Sequence, residues 1–145
     1  MAANSRLTIS VHALAWLALA HRRGLERLTS DQVAASVNAN PVILRTSLGR
    51  LREAGLVAVS RGSGAGWWLA RPPEQISLLD VYDAIGSDAL FAMHHTEPNQ
   101  QCPVGRGIRP ALDEVYADVD GAVRHALGRT SIAEVLDQSL VWSEQ

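Results

Sequence analysis

LTSDQVAASVNANPVILRTSLGRLREAGLVAVSRGSGAGWWLAR, residues 28–71, decides the fold. It predicts a short helix, a tight turn, a second helix, and then a strand–loop–strand whose glycine-rich tip carries an arginine. Thr29 and Gln32 have capping-box spacing, in which a hydroxyl and an amide satisfy free N–H groups at a helix start. Val33, Ala34 and Val37 give that helix one apolar face. Asn38, Ala39 and Asn40 interrupt it, because Asn accepts turn and cap geometries. Asn40-Pro41 predicts a second start, with Asn as N-cap and Pro where no N–H is needed. Leu44, Leu48 and Leu51 recur as a buried stripe, and Gly55 stands where a helix end favours a left-handed residue. Val57 with Val59, and Trp67 with Leu69, alternate as half-buried strands. One exposed helix beside one flexible loop is the winged helix-turn-helix arrangement. Its helix suits a DNA major groove and its loop a minor groove or backbone.

The flanking chain predicts a mainly α fold with this small β wing. Residues 7–23 form a first helix, with Leu7, Val11, Leu14, Ala15 and Ala18 in a rough 3.6 period. Arg71-Pro72-Pro73 excludes regular structure and suggests a boundary between a winged domain, 1–73, and a second part, 74–145. That second part opens with a linker helix from Ser77 to Ile85. An irregular loop, 86–107, follows. A long helix, 108–129, then carries Ile108, Leu112, Val115, Val119 and Val123 on one face, despite Gly121 in its interior. Ser131 and Glu134 make another capping box, which starts a last short helix.

Net charge conceals an asymmetry. Residues 1–71 hold 9 Arg and 3 acidic residues, +6, whereas residues 72–145 hold 4 Arg and 12 acidic residues, −8. A basic half that carries the helix-turn-helix is what a phosphate backbone requires. The longest apolar run, Ala13 to Ala20, falls well short of the roughly 18 residues a membrane span needs. No leader pattern stands at the start, so the chain reads as cytoplasmic. No paired carboxylates, nucleophile–base pair or complete metal motif points to an enzyme, and no cofactor is implied.

Within the motif, Val42, Ile43, Arg45, Thr46 and Arg50 lie off the leucine stripe and are the expected contacts to double-stranded DNA. Arg45 is placed to fork onto guanine O6 and N7, and Val42 or Thr46 to touch a thymine methyl. Arg50 and Arg52 suit phosphates. Thr29 at the first helix start and Arg61, Gly62 and Ser63 at the wing tip complete the set. The wing glycines follow GxGxG spacing and lead into a strand, which argues against a dinucleotide site. The bland alternative, a solvated helix face, is less favoured inside this motif. Cys102, with His94 and His95 nearby, is the only cluster of reactive character. An ordinary loop cysteine is the plain reading, a redox or ligand effector the functional alternative, and a metal is less favoured, since the spacing matches no standard motif. Ile108, Leu112, Val115, Val119 and Val123 suit a homodimer interface, because a small winged domain cannot cover so long a helix.

LTSDQVAASV, NPVILRTSLGRLREAGLV and SRGSGAGWWLARPPEQISLLDVYDAI together resemble the Rrf-two (Rrf2) transcription factors, the IscR, NsrR and CymR type of dimeric regulator. The resemblance is strong over about residues 6–90 and implies a winged helix-turn-helix domain followed by a long dimerisation helix. Two departures stand out. Cluster-binding members carry three cysteines before the long helix, where this chain has Cys102 alone, and its first helix looks like that of members without a cluster. Arg45-Thr46 replaces the acidic residue and Gln of many relatives, so their operator sequence does not carry over. The expected function is a homodimeric repressor on a roughly palindromic operator, responsive to an oxidant or small molecule. The alternative is a winged-helix module that binds a protein without reading DNA, against which the +6 half argues.

Overall fold

The computed structural model describes residues 5–86 and 88–145. The element order is α1 (Ser5–Arg22), α2 (Ser30–Val37), α3 (Pro41–Glu53), β1 (Val57–Ser60), β2 (Gly66–Leu69), a 3-10 turn (Pro73–Gln75), α4 (Leu78–Ala84), α5 (Pro103–Gly128) and α6 (Ile132–Ser143). The chain divides into two compact units, Met1–Ser87 with Leu127–Gln145, and Asp88–Ala126. This division does not coincide with the break expected after Pro73.

In the first unit α1 is the central element, packed against α2, α3, β2, α4 and α6. Ser10, Ala13, Leu14, Ala15, Leu17, Ala18 and Ala20 are all buried, so the helix is covered on most sides rather than along one stripe. Leu7 and Val11, expected on the core face, are only partly buried. Leu28, Val33, Leu44, Leu48, Leu51 and Leu56 close the core around it.

The capping boxes form as their spacing predicts. Thr29 and Gln32, Ser77 and Asp80, and Ser131 and Glu134 each exchange side-chain and backbone bonds. The α6 helix joins the first unit because residues 130–132 run antiparallel to 76–78. Leu78 N–H donates to the Thr130 carbonyl at 2.9 Å, and Ile132 N–H donates to the Ile76 carbonyl at 2.8 Å. Ile132 and Leu136 are thereby buried, and Arg22 pairs with Asp137 at 2.8 Å.

Two boundaries differ from the sequence reading. Pro72-Pro73 does not abolish regular structure, since Pro73 begins a single 3-10 turn, a position that needs no N–H. The long helix starts at Pro103, five residues before Ile108. Gly105, Gly107 and Pro110 hide that start in the sequence. Gly105 is needed there, because a Cβ would collide with the Asn99 carbonyl oxygen. Pro110 lies inside the helix and leaves the Arg106 carbonyl without its usual donor.

The second unit is α5 with the preceding segment strapped along it. Arg109 Nη2 donates to the carbonyls of His94 and Thr96, at 2.9 and 3.0 Å. Phe91 and Tyr116 stack with ring centroids 5.2 Å apart.

Candidate nucleic-acid interface

The turn between α2 and α3 fixes how α3 is presented. Asn38 takes the left-handed conformation, φ 53°, and its N–H closes α2 on the Ala34 carbonyl. Asn40 Oδ1 then accepts from Val42 N–H at 2.8 Å and opens α3. Leu44, Ser47, Leu48 and Leu51 face inward. At 3.6 residues per turn, Val42, Thr46 and Gly49 fall on the line opposite them. Val42 is 66% exposed and Ile43 38%.

Arg45, Gly49 and Arg52 follow one another at i, i+4 and i+7 along the side of α3 that faces the wing. They line one wall of an open cleft of about 640 Å³, and Ser60, Arg61 and Gly62 line the other. Arg45, Arg52 and Arg61 form no ion pair among the described residues. The cleft therefore presents three uncompensated guanidinium groups, with Asp31 as its one acidic neighbour.

The wing is more firmly held than a glycine-rich tip suggests. Val57 pairs with Leu69 and Ser60 with Gly66. Leu28 adds a third chain to this sheet, exchanging both backbone bonds with Trp67 at 3.0 and 2.7 Å. Arg27 braces the tip. Its Nη1 donates to Ser60 Oγ at 2.9 Å and to the Gly64 carbonyl at 2.7 Å, while its guanidinium lies 4.7 Å from the Trp68 ring centre. Trp67 Nε1 donates to Ser30 Oγ at 3.0 Å, which ties the wing to the start of α2.

The structure thus brings together Thr29, Arg45, Arg61 and Gly62 around one cleft, with Val42, Ile43, Thr46 and Ser63 exposed beside it or near it. Two expected contacts are otherwise engaged. Arg50 is turned away from the cleft, and its Nη1 donates to the Ile85 carbonyl at the end of α4. Thr29 has its N–H and its hydroxyl committed to Gln32. The sequence reading missed Arg27, whose partners lie 33 and 37 residues away, and Gly49, which carries no side chain to draw notice.

The effector candidates lie in the second unit. His94 Nδ1 contacts Thr96 Oγ1 at 3.3 Å. Cys102 is exposed, its N–H donates to the Asn99 carbonyl, and its own carbonyl accepts the first bond of α5 from Arg106. His95 is exposed. Among the described residues no three His, Cys, Asp or Glu side chains stand close enough to hold a metal. The expected interface residues Ile108, Leu112, Val119 and Val123 are half-buried and Val115 is exposed, as no residue of α5 is buried in the single chain. Val104, 67% exposed, extends the same face by one turn.

Among the described residues no helix is long and apolar enough to cross a membrane. The Rrf2 family profile, described as an iron-dependent transcriptional regulator, matches residues 3–138. YwnA of Bacillus subtilis, which carries the name of an HTH-type transcriptional regulator, is 37% identical over 135 residues, 92% of this chain and 96% of its own. A crystal structure described as that of a DNA binding protein superposes with TM-score 0.72 at 32% identity, over 90% of this chain and 98% of that one. IscR of T. potens shares the fold, with TM-score 0.71 at 20% identity, over 96% and 88% of the two chains.

The donor set does not fit an iron–sulfur centre of the kind that cluster-binding members hold. Such a centre needs three or four thiolate or imidazole ligands, and this chain has one cysteine, with no gathered trio among the described residues. Protein purified without oxygen is expected to be colourless. A brown preparation with stoichiometric iron and sulfide would overturn that.

Proposed function

Because this chain belongs to the Rrf2 family of transcriptional regulators, we propose that it works as a homodimeric repressor that grips a roughly palindromic operator. The observation that carries this reading is the cleft between α3 and the wing, with Arg45, Arg52 and Arg61 unpaired along it. Uncompensated guanidinium groups on a helix and an adjacent hairpin suit base edges and phosphates. Residues 1–73 supply the DNA contacts and residues 74–145 supply assembly and response. Two copies joined through α5 present two recognition helices to two half-sites. The compartment that holds the DNA, the cytoplasm, is where such a protein acts.

Binding to random duplex across a salt series tests the reading. Affinity for DNA falls steeply with salt as counterions are retained, whereas a module that binds a protein partner gives no such slope. Within that frame Arg45→Ala is expected to relax preference at one base pair per half-site, a loss of roughly 1–3 kcal/mol in discrimination. Arg61→Ala weakens binding to all sequences alike. Equal loss across every operator variant for Arg45→Ala would remove it from base readout.

Cys102 is the proposed response element, supported by its exposure and its place at the first turn of α5. Peroxide converts such a thiol to a sulfenic acid, which changes its size and hydrogen bonding beside the helix start. Wild type is expected to lose operator affinity on peroxide treatment, and Cys102→Ser to keep it. Equal affinity of both proteins under both conditions would exclude the thiol as the switch.

A further inference from the structure

The side chains on the outward line of α3, Val42, Thr46 and Gly49, leave no free hydrogen-bond donor. Val42 presents a bare isopropyl group, two-thirds exposed. The Thr46 hydroxyl donates to the Val42 carbonyl at 3.0 Å, one turn back in the helix. With its donor spent, Thr46 offers its methyl group and the acceptor lone pairs of its hydroxyl oxygen. Gly49 follows on the same line. Glycine inside a helix is unfavourable, and here no packing requires it, since a Cβ at Gly49 would meet nothing within 4 Å.

We propose that Val42 and Thr46 read the 5-methyl groups of thymines that flank the base held by Arg45, and that Gly49 is left bare so that the helix can press to contact distance. The proposal rests on the DNA-binding reading above and deepens it. In the major groove thymine is distinguished by its methyl group, and apolar side chains are its complement. Arg45 stands between Val42 and Thr46 in sequence and beside them on the helix, so a guanine read by Arg45 has thymines as near neighbours.

The test begins with the full-length protein and a random 30-base-pair duplex pool, from which bound sequences are selected. Each thymine of the selected half-site is then replaced by uracil, which removes the methyl and nothing else. Two positions per half-site are expected to lose about fourfold in affinity, the value for one buried methyl-sized group. Thr46→Ser keeps the hydroxyl bonded to Val42 and removes only the methyl, so it should abolish the uracil effect at one position. Val42→Ala should abolish it at the other. Gly49→Ala should melt at a higher temperature yet bind the selected duplex more weakly.

Tolerance of uracil at every position by the wild type would overturn the proposal. So would uracil effects that persist unchanged in both variants, or full affinity in Gly49→Ala. Failure to enrich any sequence would instead bring down the DNA-binding reading itself, and this proposal with it.

Discussion

Val119→Asp is expected to leave the protein monomeric and to lower its affinity for a two-half-site operator at least ~100-fold. The α5 helix runs 26 residues, and none of them is buried in the single chain. Val104, Ile108, Leu112, Val115, Val119 and Val123 recur at intervals of four, four, three, four and four, which at 3.6 residues per turn keeps them on one face. An apolar stripe of that length left in water is unfavourable, and a second copy related by a two-fold axis would cover it with an identical stripe. Val119 lies in the C-terminal half of the stripe. A two-fold interface would receive two aspartates at once, each stripped of water without a cationic partner.

The loss in DNA binding then follows from linkage. Once one winged domain has bound, the second binds as if at millimolar local concentration, and separate chains lose that advantage. Because Val119 is only half-buried in the single chain, the variant keeps its helical circular dichroism. Light scattering should give twice the 15.6 kDa chain mass for the wild type and the single mass for the variant. A wild type already at the single mass would sink the idea.

What the sequence made legible were the features carried by neighbours. A capping box needs residues three apart, and both predicted boxes form, with a third at Ser77 and Asp80. Asn40-Pro41 opens α3, and the leucine stripe of α3 faces inward, because both depend on one turn of helix. Arg45 and Arg61 could be singled out because a recognition helix and a wing tip have fixed places in a winged domain. Features that join distant residues stayed hidden. The orientation of Arg50 depends on Ile85, 35 residues on. Nothing near Arg27 announces that it will brace Gly64. The pairing of 76–78 with 130–132 draws α6 into the first unit, and no local pattern encodes a contact across more than 50 residues. The early start of α5 was obscured for a different reason. Val104 continues the apolar spacing, but two glycines and a proline lie between it and Leu112, and local propensity speaks against a helix there.

Gly66→Ala is expected to be the most damaging single-methyl change in the winged domain. Gly66 sits at the start of β2 with φ 151°, where side-chain-bearing residues are rarely found. A Cβ would stand 2.9 Å from the Leu28 carbonyl oxygen, 3.1 Å from its carbon and 3.0 Å from Arg27 Cβ. Two of these three atoms belong to backbone, and Leu28 cannot retreat without breaking its paired bonds with Trp67. The clash therefore falls on the bridge that ties the wing to the rest of the domain, next to the arginine that holds the tip. Strain of this kind costs on the order of 3 kcal/mol, which for a chain of this length lowers the melting temperature by about 10 °C. Affinity for operator and for random duplex should fall together, since a displaced wing loses backbone contacts and leaves the α3 readout unchanged. Gly62→Ala is the control. Its φ is also positive, at 82°, but a Cβ there meets nothing within 4 Å, so only backbone strain is added. A Gly66→Ala melt within about 2 °C of wild type, roughly the smallest shift expected for a 1 kcal/mol change, would show that Leu28 yields freely and that the wing is not anchored through it.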